Sequence, residues 1–252
     1  MSWQGKTVIV TGSATGIGQA TAKLFGEKGA KVVLFDVNEQ AAANVDAIKG
    51  AGGQALFVRG DVASEADVRA LGEKTVAAFG SIDGLINNAG IMRRHDFADW
   101  PIAEIRQTLD INLLGLFLTT YILGPTMIRD GGGSIVNISS LGGLMAVVYS
   151  PVYAAAKAGV LGLTRAVAPT LGPQGVRVNA VLPSLVDTPL TANAPSRSDM
   201  PMMPPSDLAK GIVHVAGDTS TNGGFFAVML GDKGPQLSRL EDKPNFTFIK
   251  DL

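Results

Sequence analysis

"TVIVTGSATGIG", residues 7–18, runs four apolar or β-branched residues into a turn that holds Gly12, Gly16 and Gly18. A Val/Ile-rich run that stops at closely spaced glycines and continues into a helical pattern, over about 17–28, reads as strand, turn and helix. Glycines in such a turn let the backbone approach a phosphate, and the free N–H groups of the helix start face its charge. The spacing is G-x-x-x-G-x-G and not the G-x-G-x-x-G of the common dinucleotide fingerprint, so taken alone it also fits a structural turn. Asp36 adds weight to the first reading. It ends the next apolar run, 18 residues after Gly18, near the interval of about 20 at which an acidic residue accepts hydrogen bonds from the adenosine ribose. A carboxylate there repels a 2′-phosphate, which selects NAD over NADP. The competing role is a helix cap, since "DVNEQ" also looks like a helix start.

Outward from this unit the pattern repeats. Val/Ile-rich runs at 7–10, 31–35, 55–58, 84–87, 134–138, 176–181 and 225–230 alternate with helical segments at about 17–28, 38–50, 64–79, 101–128 and 153–171. That alternation predicts an α/β fold: one doubly wound, Rossmann-like parallel sheet of seven strands, covered on both faces. No stretch reads as a linker, so residues 1–252 form one domain, with a tail at 231–252 that breaks the pattern. In such a sheet ligands bind beyond the carboxyl ends of the strands, and function is to be sought there.

Composition narrows the classes. With 46% hydrophobic residues, 17% charged and 31 glycines, the 252-residue chain has material for a large core and many tight turns. A net charge of −1 with no basic cluster leaves no footprint for nucleic acid or an anionic membrane surface, so the expected partner is a small molecule. The chain has no cysteine and two histidines, His95 and His214, so no metal site is expected. The N-terminal "MSWQGKTVIV" has no cleavable pattern, which predicts a cytoplasmic protein. The apolar run "INLLGLFLTTYILGPTMI", residues 111–128, is broken by Asn112, threonines and Gly124-Pro125. It reads as a core or interface helix and not as a membrane span.

Chemistry-bearing residues follow the strands. "GDV" places Asp61 and Val62 after the third, and "NNAG" places Asn88 and Gly90 after the fourth. In "YAAAKAG", residues 153–159, Tyr153 and Lys157 stand four apart, on one face of a helix. A phenol of pKa about 10 is protonated at neutral pH, and an adjacent ammonium favours its ionisation.

Together "TGSATGIG", "DV", "NNAG", "NISS", "YAAAK" and "VRVNAVLPSLVDTPL", in this order, identify the chain as resembling the single-domain short-chain dehydrogenases/reductases. The resemblance is to their NAD-linked hydroxysteroid and alicyclic alcohol dehydrogenases, and it runs to about residue 230. It implies hydride transfer between NAD and a secondary alcohol, with Tyr153 as base and Lys157 activating it and holding the nicotinamide ribose. It further implies Ser140 on the substrate oxygen and Asn112 supporting a water chain to the lysine. On the cofactor side it implies Gly12, Gly16, Ile17, Gly18, Asp36, Asp61, Val62, Asn88 and Gly90, with Val186 and Thr188 on the nicotinamide half, and a homotetramer or homodimer.

For the substrate, Met200, Met202 and Met203 in "NAPSRSDMPMMPPSD" suggest an adaptable apolar lid, and Met145, Val147 and Val148 line the same mouth. The expected substrate is therefore an apolar, cyclic secondary alcohol or ketone. "IMRRH" argues otherwise: Arg93 and Arg94 can hold a carboxylate, which points to a sugar acid, or they form a solvated loop face. A non-catalytic NAD-binding sensor is the remaining alternative.

Overall fold

The computed structural model describes residues 1–192, 202–231 and 234–240. Its first strand, β1 (Thr7–Thr11), is wholly buried. Val8 and Val10 pack into one layer and Ile9 into the other. The next strand, β2 (Lys31–Asp36), divides in the same way, with Val32 and Leu34 on one face and Val33 and Phe35 on the other. Continuous apolar runs, and not alternating ones, are what a strand buried on both faces requires.

One layer holds α1 (Gly16–Glu27), α2 (Ala41–Gly50) and α7 (Pro205–Gly217), which contribute Phe25, Ile48 and Ile212 to the core. The opposite layer holds α3 (Glu65–Phe79), α5 (Gly115–Arg129) and α6 (Pro151–Leu171), contributing Leu71, Leu123 and Ala168. Between them lie β3 (Gln54–Arg59), β4 (Gly84–Asn87), β5 (Gly133–Ile138), β6 (Val176–Pro183), β7 (Phe225–Gly231) and β8 (Gly234–Leu240) with the first two strands. The order is β3-β2-β1-β4-β5-β6-β7-β8. All pairs are parallel except β7 with β8. The direction of winding reverses between β1 and β4, so the crevice expected of such sheets opens at their carboxyl ends.

Three features depart from the sequence-based expectations. Among the described residues the sheet has eight strands, because part of the tail, Gly234–Leu240, pairs antiparallel along β7. Its side chains are mostly exposed, and an edge strand open to water carries no continuous apolar run to reveal it. Second, α7 was not anticipated behind the Met/Pro-rich stretch, although Leu208, Ile212 and Val215 recur at helical spacing on its buried face. Third, the helix expected over 101–128 is interrupted. After α4 (Ile102–Leu109) the chain makes a wider turn at Asp110–Leu114, in which the N–H of Gly115 donates to the carbonyl of Asp110, five residues back. Such π-turns swell a helix locally and are frequent at functional sites. The run long and apolar enough to cross a membrane, Ile102–Arg129, buries Leu116, Leu123 and Met127 against the protein.

Candidate active site

At the carboxyl ends of β1, β4, β5 and β6 lies a cavity of about 450 Å³. Of the residues singled out in the sequence, Gly12, Gly16, Ile17, Asn88, Gly90, Ser140, Tyr153, Lys157, Val186 and Thr188 line it. Gly18, Asp36, Asp61, Val62 and Asn112 do not.

The glycine turn is dictated by close approach. Gly12 has φ of +64°, and a side chain there would meet Ala89 Cα at 2.7 Å; one at Gly18 would lie 2.0 Å from the carbonyl oxygen of Gly12. Asn88 ties the turn to β4 by donating from Nδ2 to the carbonyls of Thr11 and Gly12, at 2.9 and 3.0 Å. α1 begins at Gly16 with no side chain capping its first turn, so its N–H groups remain available to an anion. Asp36 accepts from the N–H groups of Ala14 and Asn38, each at 2.9 Å. It thus shapes the turn and does not cap α2, and each carboxylate oxygen keeps a lone pair for a hydroxyl. These residues fit the phosphates and ribose of a dinucleotide. Asp61 accepts from the N–H of Ala63 at 2.9 Å. Val62 is buried in the core beneath Gly115, whose missing side chain would meet it at 2.6 Å.

Tyr153 and Lys157 rise from the first turns of α6, which starts at Pro151, a residue suited to that position. Tyr153 is 8% exposed and Lys157 4%. Ser140 Oγ accepts from the N–H of Gly142 at 3.0 Å; a side chain at Gly142 would meet Ser140 Oγ at 3.3 Å and the Tyr153 ring at 3.8 Å, so the serine and the tyrosine flank the same glycine. Ser139 is structural, donating to the carbonyl of Lys157 at 2.8 Å. Lys157 Nζ donates to the carbonyl of Ile138 at 2.8 Å and stands 5.6 Å from the centre of the Tyr153 ring.

Electrostatics here run against the expectation that the lysine favours the phenolate. Burial pushes the Tyr153 phenol up to about 12, outweighing the lowering influence of the Ser140 hydroxyl, and the nearby Tyr149 adds to the rise. Burial likewise pushes the Lys157 ammonium down to about 8. Low dielectric disfavours both charged forms, and the ammonium is turned toward a backbone carbonyl. In this cleft the tyrosine is held as a phenol.

Asn112 sits in the π-turn, 1% exposed. Its Oδ1 accepts from the N–H of Ile91 at 3.0 Å, and its Nδ2 donates to the carbonyl of the same residue at 2.8 Å. It therefore holds the loop after β4. A side chain at Gly90 would lie 2.6 Å from Asn112 Oδ1 and 3.6 Å from Lys157 Nζ, so the two groups flank the same glycine.

On the substrate side Met145, Val147 and Tyr149 line the cavity, whereas Val148 is 83% exposed. Met92, Leu141, Leu185 and Leu190 line it too; they carry no chemical signal in the sequence, and only the fold brings them in. The proposed methionine lid is corrected in part. Met203 is wholly buried, its N–H donating to the carbonyl of Leu185 at 2.9 Å, and belongs to the core. Met202 is half-buried, and Met200 lies outside the described residues. The two arginines part company: Arg93 turns outward to Glu104 and Gln107, while Arg94 reaches the carbonyl of Leu190 at 3.2 Å. Among the described residues no cluster of His, Asp or Glu is arranged to hold a metal.

Residues 6–199 match the family described as short chain dehydrogenase. A cis-4-hydroxycyclohexanecarboxylate dehydrogenase of Sinomonas cyclohexanicum is 39% identical over 242 residues, covering 88% of this chain and 97% of that one. A 2,5-dichloro-2,5-cyclohexadiene-1,4-diol dehydrogenase of Sphingobium indicum is 43% identical over 196 residues, covering 75% and 76%. Among solved structures, a short-chain type dehydrogenase/reductase from Mycobacterium marinum superposes with a TM-score of 0.86 at 30% identity, covering 90% of this chain and 94% of that one.

Proposed function

The chain belongs to the short-chain dehydrogenase family, and from that premise we propose that this oxidoreductase uses NAD to interconvert a secondary alcohol on an alicyclic ring and its ketone. One observation carries the reading: Ser140 and Tyr153, with Lys157 beside the tyrosine ring, line the same largely apolar cavity as the glycine turn. The two relatives named above act on hydroxylated six-membered rings, which a cavity walled by Met145, Val147, Leu185 and Leu190 suits.

NAD, when bound, supplies the acceptor for the carbinol hydride. Asp36 favours the unphosphorylated ribose, because a 2′-phosphate would meet its charge. The chain's own groups then handle the proton. Ser140 and Tyr153 line the same cavity and flank Gly142, so a substrate oxygen placed between them is held by both. Ser140 steadies charge on that oxygen, and Tyr153 exchanges the hydroxyl proton. Held above its ordinary value by burial, the phenol carries at neutral pH the proton that ketone reduction needs. Alcohol oxidation requires it to be ionised first, with Lys157 the adjacent cation. Asn112 keeps the loop after β4 in place behind that lysine. The decisive assay follows NADH absorbance with cycloalkanols, hydroxysteroids and sugar acids, using NAD and NADP. Turnover of ring alcohols with NAD is expected; turnover of sugar acids alone, or a preference for NADP, overturns the reading.

We also propose a homodimer or homotetramer built on α5. Leu114, Phe117 and Tyr121 are 44%, 45% and 67% exposed, at helical spacing along one stripe, and the two rings stack with centres 6.0 Å apart. An apolar stripe of this kind suits a subunit interface.

A further inference from the structure

Arg94 is not itself a wall of the cavity, but it packs against two residues that are, Tyr149 and Leu190. Its neighbour Arg93 is neutralised, with Nε 3.8 Å from Glu104 Oε2, a carboxylate that also bonds His95 Nε2 at 2.9 Å. Arg94 turns the opposite way. Its guanidinium carbon lies 5.5 Å from the centre of the Tyr149 ring, and Nη2 donates to the carbonyl of Leu190. Tyr149 and Leu190 both line the cavity. Arg94 Nε is buried with no hydrogen-bond acceptor among the described residues, and no described carboxylate lies within ion-pair distance of the group. A buried donor left unpaired is costly and rare. Among the described residues no Asp or Glu lines the cavity, and Lys157 does, so an anion entering it meets no like charge.

We propose that Arg94 is a specificity-determining residue that receives a carboxylate carried by the ring alcohol, remote from the hydroxyl that Tyr153 and Ser140 hold. The planar guanidinium fork matches a carboxylate bidentately, and Nε–H with an Nη–H is one of its paired edges. Engagement exchanges a lone carbonyl contact for a full counter-charge and satisfies the orphaned donor. The Tyr149 ring lies against the guanidinium, and Met145, Val147, Leu185 and Leu190 give the cavity apolar walls, as a ring joining hydroxyl to carboxylate requires. The inference deepens the function proposed above and rests on that reading of the cavity as the alcohol site.

Binding separates the two. The protein saturated with NADH is titrated by calorimetry with cyclohexanecarboxylate and with its neutral carboxamide, in the wild type, Arg94→Lys, Arg94→Met and, as a control, Arg93→Met. The wild type is expected to prefer the carboxylate by about 30-fold, the worth of a charge-assisted pair. That preference falls to near unity in Arg94→Met and to an intermediate value in Arg94→Lys, which keeps charge and loses the fork. It persists in Arg93→Met. Equal affinity for acid and amide in the wild type, or an undiminished preference in Arg94→Met, overturns the inference. Turnover of cyclohexanol with NAD but without any carboxylate preference removes the role of Arg94 and leaves the proposed reaction standing. A carboxylate preference without turnover of any ring alcohol does the reverse.

Discussion

Tyr153 is the side chain on which the proposed chemistry turns. Tyr153→Phe removes one oxygen from a residue whose ring stays buried, so it is expected to lower kcat by at least about 100-fold, the usual worth of a general acid or base. Its affinity for NADH, read by nicotinamide fluorescence, should be unchanged. The ionisation that oxidation demands gives a direction with pH: alcohol oxidation should accelerate as pH rises above neutral, while ketone reduction, which uses the phenol as it stands, should not. Lys157 makes a second prediction, in stability. Its folded pKa of about 8 lies below the ordinary 10.5, so between these values the unfolded chain binds a proton that the native protein has lost, and stability rises with pH across that window. Against Lys157→Met, which does not titrate, the wild type should therefore gain about 3 kcal/mol from pH 8 to 10.5, at 1.36 kcal/mol per pKa unit. Urea unfolding of both proteins at each pH measures the gap; a constant gap would mean that the lysine is not desolvated as described. That Tyr153 and Lys157 are partners is legible in a spacing of four. That burial opposes both charges is not, because desolvation depends on what the rest of the chain places over them.

At the scale of elements, the strands that pack on both faces are written as unbroken apolar runs, and the helices between them as periodic ones. The elements that escaped the sequence obey other rules. β8 is stabilised by ladder bonds to β7 with its side chains largely in water, and backbone pairing leaves no side-chain pattern. The π-turn at Asp110–Leu114 differs from regular helix by one residue, a surplus that carries no compositional mark. The glycine turn is the opposite case, since its need for close approach is visible as residue type. Gly18→Ala would force a Cβ to 2.0 Å from a backbone carbonyl that has no room to yield. It is expected to cost about 1–3 kcal/mol, as overpacking does, and to weaken NAD binding. Gly50→Ala, on the last residue of α2 with nothing within 4 Å, should instead be neutral or stabilise by about 0.5 kcal/mol through helix propensity. Thermal unfolding and NADH titration of the two variants distinguish a packed glycine from a free one.

At the scale of the whole molecule, the proposed oligomer makes a prediction. If the stripe on α5 is the interface, replacing Phe117 and Tyr121 together by glutamate should convert the assembly to a smaller species in sedimentation, with the isolated fold intact by circular dichroism. An unchanged mass would relocate the interface. The sequence by itself determined the layered α/β architecture, because burial on both faces of a parallel sheet demands apolar runs, and tight approach demands glycine. It also marked Ser140, Tyr153 and Lys157, whose chemistry is tied to residue type and whose spacing is local. Only the tertiary structure decided that Met203 belongs to the core and not to a lid, that Arg93 and Arg94 face opposite ways, and that Leu185 and Leu190 wall the cavity with Met145. Those outcomes depend on contacts between segments far apart in the chain, and neither a residue's type nor its neighbours in sequence specifies which distant surface it will meet.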